Sequence, residues 1–421
     1  MYPLIWPITL ILAQLGGPLG SDKADPKALE GMAREALADV EFMRGQQLSA
    51  PLKMGVKTKP EVTKFIQRRF KEEYGPAYIE AEGRLLKMLG LMPADMKYGQ
   101  FMTELLTEQV AGFYDHTRQE LHIAAWLPAM MQGPVMAHEI FHAIQDQEWG
   151  GGKLIDSKKY SHDAVLAHAA LLEGDATVVM FNYTQYVTQK QMGAQNGELP
   201  DISTSKFTIA TMAAALASQM GGAAYPVMAR APKYMKQSLI FPYQQGLLFV
   251  AALRQAGWGW DKIKGVYADP PSSTEQVLHP ERYHGTRDLP SDVTLEGDLL
   301  PGFTRGWDHV AGEFHWRAWL QSGLDQGKAE EGAAGWDGDR TVLLMKGADS
   351  VLASAQIWDA PEEAASFVKA AQAVHATRSG KKPAMKIAQR GDKVFMVLAH
   401  DSALADRAMT ALEKQARFTK R

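Results

Sequence analysis

The chain has 421 residues, 46% hydrophobic and 22% charged, with a formal net charge of -3 and no cysteine. That balance is ordinary for a globular chain with core enough for two or three domains. The missing cysteine excludes disulfides, a cysteine nucleophile, zinc-ribbon sites and a lipid-anchored cysteine, and the lack of any basic run argues against a nucleic-acid partner.

Residues 1–20 open on a short apolar run, Leu4 to Leu12, followed by Ala13-Gln14 and glycine-rich residues to Ser21. The length is that of an export signal and short of a membrane span, although no Lys or Arg precedes the run and Pro7 interrupts it. Together with the zero cysteine count, it predicts a periplasmic or extracellular protein rather than a cytoplasmic one. Residues 26–325 then read as one mainly helical domain. Helices are expected within 26–50 and 60–110, for example Glu61 to Tyr74 and Tyr78 to Leu89, broken at Gly90-Leu91-Met92-Pro93. Phe113-Tyr114, a turn at Asp115-His116-Thr117-Arg118, and Gln119 to Ala124 read as a hairpin.

The next helix carries the most informative motif, His138-Glu139-Ile140-Phe141-His142. The pattern predicts a helix from Ala137 to Gln147, started by Gly133-Pro134 and stopped by Trp149-Gly150-Gly151-Gly152. Residues four apart share a helix face, so both imidazoles can hold one ion, and Glu139 then stands where it can take a proton from water. A hydrolytic zinc site needs a third protein ligand and one open position. Glu173, 31 residues beyond His142, is the candidate. It lies among apolar residues in a helix expected to begin near Ser161, and carboxylates are rarely buried without a partner. Gly174 and Ala176 beside it are small enough for the two helices to approach closely.

Thr208 to Ala229 carries no charge for 22 residues. Its Gly, Gln and Pro content predicts a helix buried against the catalytic pair rather than a membrane span. Phe241-Pro242-Tyr243-Gln244-Gln245-Gly246 opens an apolar helix, Leu247 to Arg254. A polar string, Asp269 to Gln276, lets Ser273-Thr274-Glu275 cap a short helix before His279-Pro280. His279 or Tyr243 is the candidate donor to the oxyanion that peptide hydrolysis develops. The other role for His279 is a helix cap or a backbone bond. His116, His162, His168 and His284 read as structural.

Residues 335–421 read as a separate α+β domain that supplies no metal ligand. Strands are expected at Thr341 to Met345 and Val351 to Trp358, a helix at Pro361 to Val374, strands at Met385 to Gln389 and Lys393 to Ala399, and a helix at Ser402 to Arg417. That is ββα twice over. Gly335 to Arg340, leading in, reads as a tight turn with an Asp–Arg pair.

Four strings resemble the gluzincin zinc metallopeptidases, and most of all an uncharacterised bacterial branch of them. They are Ala111-Gly112-Phe113-Tyr114-Asp115, the helix from His138 to Gln147, Leu172-Glu173-Gly174-Asp175-Ala176, and Ser273-Thr274-Glu275-Gln276-Val277-Leu278-His279-Pro280, all within residues 104–284. The resemblance implies Zn2+ held by His138, His142 and Glu173, Glu139 as general base, and a peptide or protein substrate. It also implies a zincin-like domain with a small sheet beside the active-site helix, whose edge strand pairs with an extended peptide. Leu121-His122-Ile123-Ala124 is the candidate for that edge, the other reading being a hairpin that only covers the core. Asp146 matches an aspartate that thermolysin-like members carry four residues after the second histidine. Four residues after the ligand glutamate, where they carry an aspartate that orients a histidine, this chain has Thr177, and the nearest acid is Asp175. The partner that orients the histidines is therefore left open.

The expectation is an α+β protein: a mainly helical zincin-like catalytic domain with a small sheet or hairpin beside the active-site helix, then a C-terminal ββα-ββα domain. Its expected activity is zinc-dependent hydrolysis of peptide bonds, with no stable membrane span and no nucleic acid. The rivals are a catalytically silent zincin-fold binding protein and a zinc hydrolase of a non-peptide amide. Glu139 argues against the silent version, because a structural zinc needs no general base.

Overall fold

The computed structural model describes residues 8–10, 26–193, 199–218, 225–378, 380 and 382–421. The expected export signal lies outside these residues except for Ile8–Leu10, which form a short strand, β1. Helix α1 (Pro26–Arg44) and strand β2 (Lys53–Lys57) follow. Helices α2 (Lys59–Glu73) and α3 (Gly75–Leu89) come next. At the start of α2, the Thr58 backbone N–H and hydroxyl both bond to Glu61 Oε2, at 2.8 and 2.7 Å. Gly90, at φ 76°, ends α3 in the left-handed conformation that glycine adopts without strain.

Helix α4 (Tyr98–Gln109) runs into the hairpin β3 (Val110–Asp115) and β4 (Glu120–Ala124). Its turn is held by Asp115 Oδ1, which accepts from the Thr117 N–H at 3.1 Å and its hydroxyl at 2.6 Å. The first sheet has the order β1-β3-β4-β2, with β2 parallel to β4 and the other pairs antiparallel. The expectation that Leu121 to Ala124 forms the edge is thus corrected. β2 covers β4, and five residues with one apolar alternation gave too little periodicity to reveal it.

Helix α5 (Ala129–Trp149) holds both candidate histidines. It begins at Ala129, so Gly133-Pro134 lies inside it rather than at its start. Pro134 removes one ladder bond, to the carbonyl of Met130 in the first turn of the helix. After α6 (Gly151–Leu154), helix α7 (His162–Gln191) begins where expected, with Ser161 Oγ accepting from the Ala164 N–H at 3.1 Å. By length and hydropathy α7 could cross a membrane, but 94% of its apolar stretch is buried within the protein. It is the central core helix, packed between α5 and helix α10 (Lys233–Gln255).

Between them lie α8 (Lys206–Ser218) and α9 (Pro226–Arg230). The uncharged segment is therefore not a helix buried on the catalytic pair. Residues 219–224 lie outside the described residues, and α8 lies against α10, burying only Ile209, Ala213 and Leu216. Pro242 sits inside α10 instead of opening a helix. Gly174 also differs from expectation. A methyl group there would collide with the backbone of Gly246, so the close approach joins α7 to α10 rather than to α5.

Three short helices follow, α11 (Trp260–Gly265), α12 (Thr274–Leu278) and α13 (Glu281–His284). The C-terminal part consists of β5 (Asp292–Leu295), β6 (Thr304–His309), α14 (Gly312–Leu320), α15 (Gln326–Ala333), β7 (Trp336–Lys346), β8 (Asp349–Trp358), α16 (Pro361–Thr377), β9 (Ala384–Arg390), β10 (Lys393–Ala399), α17 (Ser402–Gln415) and β11 (Ala416–Thr419). Its main sheet is antiparallel in the order β6-β7-β8-β10-β9, and β11 pairs with β5.

The expected ββα-ββα order is present, and the protein is α+β and mainly helical. The boundary at 335 is not, because β6 supplies the first strand of the same sheet. Strand alternation sends side chains to two different cores. Leu343, Leu352, Trp358, Met396 and Leu398 join Trp316, Trp319 and Phe367 in the core that also holds α5, α7 and α10. Val342, Leu344, Val351, Ala353 and Val397 line a second core with Leu404, Ala408 and Leu412 of α17. Nor is Gly335 to Arg340 closed by an internal Asp–Arg pair. Asp339 accepts from the Ala311 and Gly312 N–H groups, the Thr341 hydroxyl and the Trp336 indole, while Arg340 bonds Asp308 at 2.5 Å.

Candidate metal centre

Successive turns of α5 place His138 and His142 on one face, and α7 brings Glu173 opposite them. The two Nε2 atoms lie 2.9 Å apart, and Glu173 Oε2 lies 3.0 Å from His138 Nε2 and 3.4 Å from His142 Nε2. All three residues are fully buried. A tetrahedral ion with bonds of about 2.0–2.1 Å needs donor atoms roughly 3.3 Å apart, which is the size of this triangle.

The protonation pattern also suits a cation. Gln145 Nε2 donates to the Leu172 carbonyl at 2.9 Å and is 2.8 Å from the Tyr267 hydroxyl. A carbonyl only accepts, so the amide is oriented with Oε1 towards His142, 2.6 Å from Nδ1. Nδ1 of His142 must then carry the proton, and Nε2 presents its lone pair to the centre. Burial pushes the Glu173 carboxyl up, but the two histidines pull harder and the net shift is down. Burial, reinforced by His142, lowers His138. Glu173 is thus favoured as the carboxylate and His138 as the neutral imidazole, the forms that ligate metals.

The network extends outward. The Tyr267 hydroxyl donates to Asp175 Oδ2 at 2.8 Å. Asp175 also receives both guanidinium nitrogens of Arg44, at 2.5 and 3.0 Å. Arg44 in turn lies 4.5 Å from the Phe141 ring centroid and 4.1 Å from that of Trp260. The open question of what orients the histidines thus has an answer for His142, which is Gln145. Sequence reasoning missed Gln145, Tyr267 and Arg44. The one available signal was the position of Gln145, three residues from His142 and so on the same helix face. Asp146 serves another purpose. Its oxygens accept from the Tyr114 hydroxyl and the Gly152 N–H, each at 3.1 Å, tying α5 to β3 and to the turn that follows.

Glu139 is also fully buried. Strand β3 makes room for it at Gly112, where an added Cβ would come 3.0 Å from Val135 Cγ1 and 3.3 Å from Glu139 Cγ. That explains the glycine in the Ala111 to Asp115 string. Tyr243, on α10, is fully buried beside His138, with ring centroids 6.2 Å apart.

His279 takes its bond elsewhere. Its Nε2 lies 3.0 Å from Glu313 Oε1, a contact that raises its pKa. The string from Ser273 to Pro280 clamps the start of α7: Asp163 accepts from the Thr274 N–H at 3.0 Å and its hydroxyl at 2.5 Å. Along α7, Asp163 lies about 15 Å from Glu173 at 1.5 Å per residue. A second acidic group, Glu275, Asp288 and Asp359, encloses Arg282, whose Nη1 bonds all three at 2.8, 2.5 and 2.7 Å. It is an ion-pair knot.

A family model described as a domain of unknown function (DUF8575) matches residues 303–409. That stretch runs from β6 into α17 and contains none of the metal-centre residues. The curated proteins give no match. Among solved structures the chain is similar to "Crystal structure of a putative hydrolase with a novel fold from Chloroflexus aurantiacus", with 16% identity and a TM-score of 0.37 over 61% of this chain and 88% of that one.

Proposed function

We propose that this chain is a gluzincin-like zinc peptidase. The observation that carries the proposal is the convergence of His138 Nε2, His142 Nε2 and Glu173 Oε2 to within 2.9–3.4 Å, with Glu139 beside them on the same helix. Two imidazoles and one carboxylate suit zinc. Three protein ligands leave a fourth position for a reactant, whereas a structural zinc fills all four. A zinc ion held there supplies Lewis acidity, which lowers the pKa of water and polarises a carbonyl oxygen. Glu139 takes the proton from the attacking water and returns it to the leaving amine. Tyr243, whose ring lies beside that of His138, is the candidate donor to the oxyanion. The zero cysteine count and the apolar N-terminal run support export.

The burial of Glu139 and all three ligands favours a second reading, a silent protein that keeps the metal. One experiment separates the two. Purified Glu139→Gln should retain zinc by elemental analysis and lose about 10²–10⁴-fold in cleavage of a mixed peptide library. Glu173→Ala should lose the metal. Full cleavage by Glu139→Gln removes the general base from the mechanism. Zinc without cleavage of any peptide by the native protein selects the silent reading.

A further inference from the structure

The two outer strands of the C-terminal sheet are finished differently. β6 breaks register between Arg305 and Trp307, and α3 packs against it. β9 pairs with β10 without a break from Ala384 to Arg390, seven residues with no proline and no glycine. Its other backbone edge has no strand partner among the described residues. A row of unpaired N–H and C=O groups is a template for another strand, and sheets usually blunt it with a bulge, a proline or charged side chains left along the edge. The cations of β9 are engaged elsewhere. Lys386 Nζ lies 2.8 Å from Asp406, and Arg390 Nη2 lies 2.9 Å from Glu413, both acids of α17. On the other face, Met385 and Ile387 pack into the core that holds Phe367 and Val374 of α16.

We infer that β9 pairs antiparallel with β9 of a second copy of this chain, about a two-fold axis at Ile387, joining the two five-stranded sheets into one. The inference is independent of the peptidase reading. A second copy fits because the strand complements itself. Residues directly opposite in an antiparallel pair share a face, so the axis must pass through a residue. With the axis at Ile387 all seven residues are paired. Lys386 then meets Ala388, Ala384 meets Arg390, and Met385 meets Gln389. Moving the axis to Ala388 sets Lys386 against Arg390. Moving it to Lys386 sets that lysine against its own copy. Like charges directly opposite are destabilising, and further shifts shorten the ladder. The longest register is therefore also one that opposes no like charges. Helices α16 and α17 both pack on β9, one on each face, and would extend the contact beyond the strands.

The test uses the full chain. Light scattering should give twice the mass of one chain. Ala388→Lys sets a lysine opposite Lys386 at two places in the dimer and should weaken it about tenfold. Ala388→Glu sets an acid there and should strengthen it by a similar factor. The absence of cysteine permits a second arm. Ile387→Cys brings two thiols across the axis, on backbones about 4.5–5.5 Å apart, which is within disulfide range. Oxidation with diamide should then give a covalent dimer. Met385→Cys, whose opposite residue is Gln389, should give none. A chain that is monomeric at every concentration and forms no Ile387→Cys dimer overturns the inference. So does a dimer that responds alike to Ala388→Lys and Ala388→Glu, or one that cross-links equally through Met385→Cys.

Discussion

Nδ1 of His142 and Oε1 of Gln145 lie 2.6 Å apart within one turn of α5, and that contact decides which nitrogen of His142 faces the metal centre. Gln145→Leu removes the acceptor and lets the imidazole change tautomer or rotate. It should weaken zinc binding about 10–100-fold, the usual cost of losing a ligand's supporting bond. Competition with a chromophoric chelator would measure it. Unaltered affinity would show that His142 is held by packing alone.

Arg44 and Asp175 form a buried pair, with side chains 4% and 0% exposed. Arg44→Met leaves Asp175 charged with only the Tyr267 hydroxyl as a described donor. The variant should lose about 3–5 kcal/mol in urea unfolding. Arg44→Met with Asp175→Asn should recover most of that loss, since the stranded charge is gone. A double variant no more stable than the single one would place the cost in lost packing of the guanidinium on Phe141 and Trp260.

Gly174→Ala should cost about 1–3 kcal/mol or more, because the new methyl meets the backbone of Gly246 rather than a side chain that can turn away. The same shift moves Glu173, so zinc affinity should fall with stability. Gly31→Ala is the control. Among the described residues nothing lies within 4 Å of its Cβ position in α1, and it should be neutral or stabilising by up to about 1 kcal/mol. Thermal melts with and without zinc would read both variants.

Acid should loosen the junction between α7 and the C-terminal sheet. His162 lies 5.3 Å from His309 and 5.7 Å from His315, ring centre to centre. Burial lowers His309 to about 4 and His315 to about 3, and holds His162 well below the usual histidine value. Near them, Arg340 also lowers His309 while Asp308 opposes it. The unfolded chain binds these protons first, so this stability is complete above about pH 6.5 and is lost as pH falls from there towards 4. Asp163, raised to about 8 by burial, acts in the other direction, its contribution being lost as pH rises from about 4 to 8. His315→Gln isolates the histidine effect. Its urea midpoint should fall less steeply than the native one between pH 6.5 and 4. An unchanged slope would assign the acid sensitivity elsewhere.

The candidate ligand pair on α5 was legible because an i, i+4 spacing is local, and its meeting with Glu173 because an acid in an apolar helix needs a reason to be there. The C-terminal strands were legible from their alternation. The support around the ligands was not. Arg44 meets Asp175 across 131 positions and Gln145 meets Tyr267 across 122, and no local pattern links them. Pro134 and Pro242 read as helix starts, yet both lie inside helices, because burying a long apolar face outweighs one missing ladder bond. Of the two oxyanion candidates, Tyr243 lies beside His138, and His279, carried by the more conspicuous string, bonds Glu313.

The core that holds α5, α7 and α10 continues into one face of the C-terminal sheet. Trp316, Trp319, Trp358 and Phe367 are held in common, so truncation near residue 335 would open this shared core at α14 as well as remove strands. A nick in that sheet would then loosen packing shared with the helices that carry the candidate ligands.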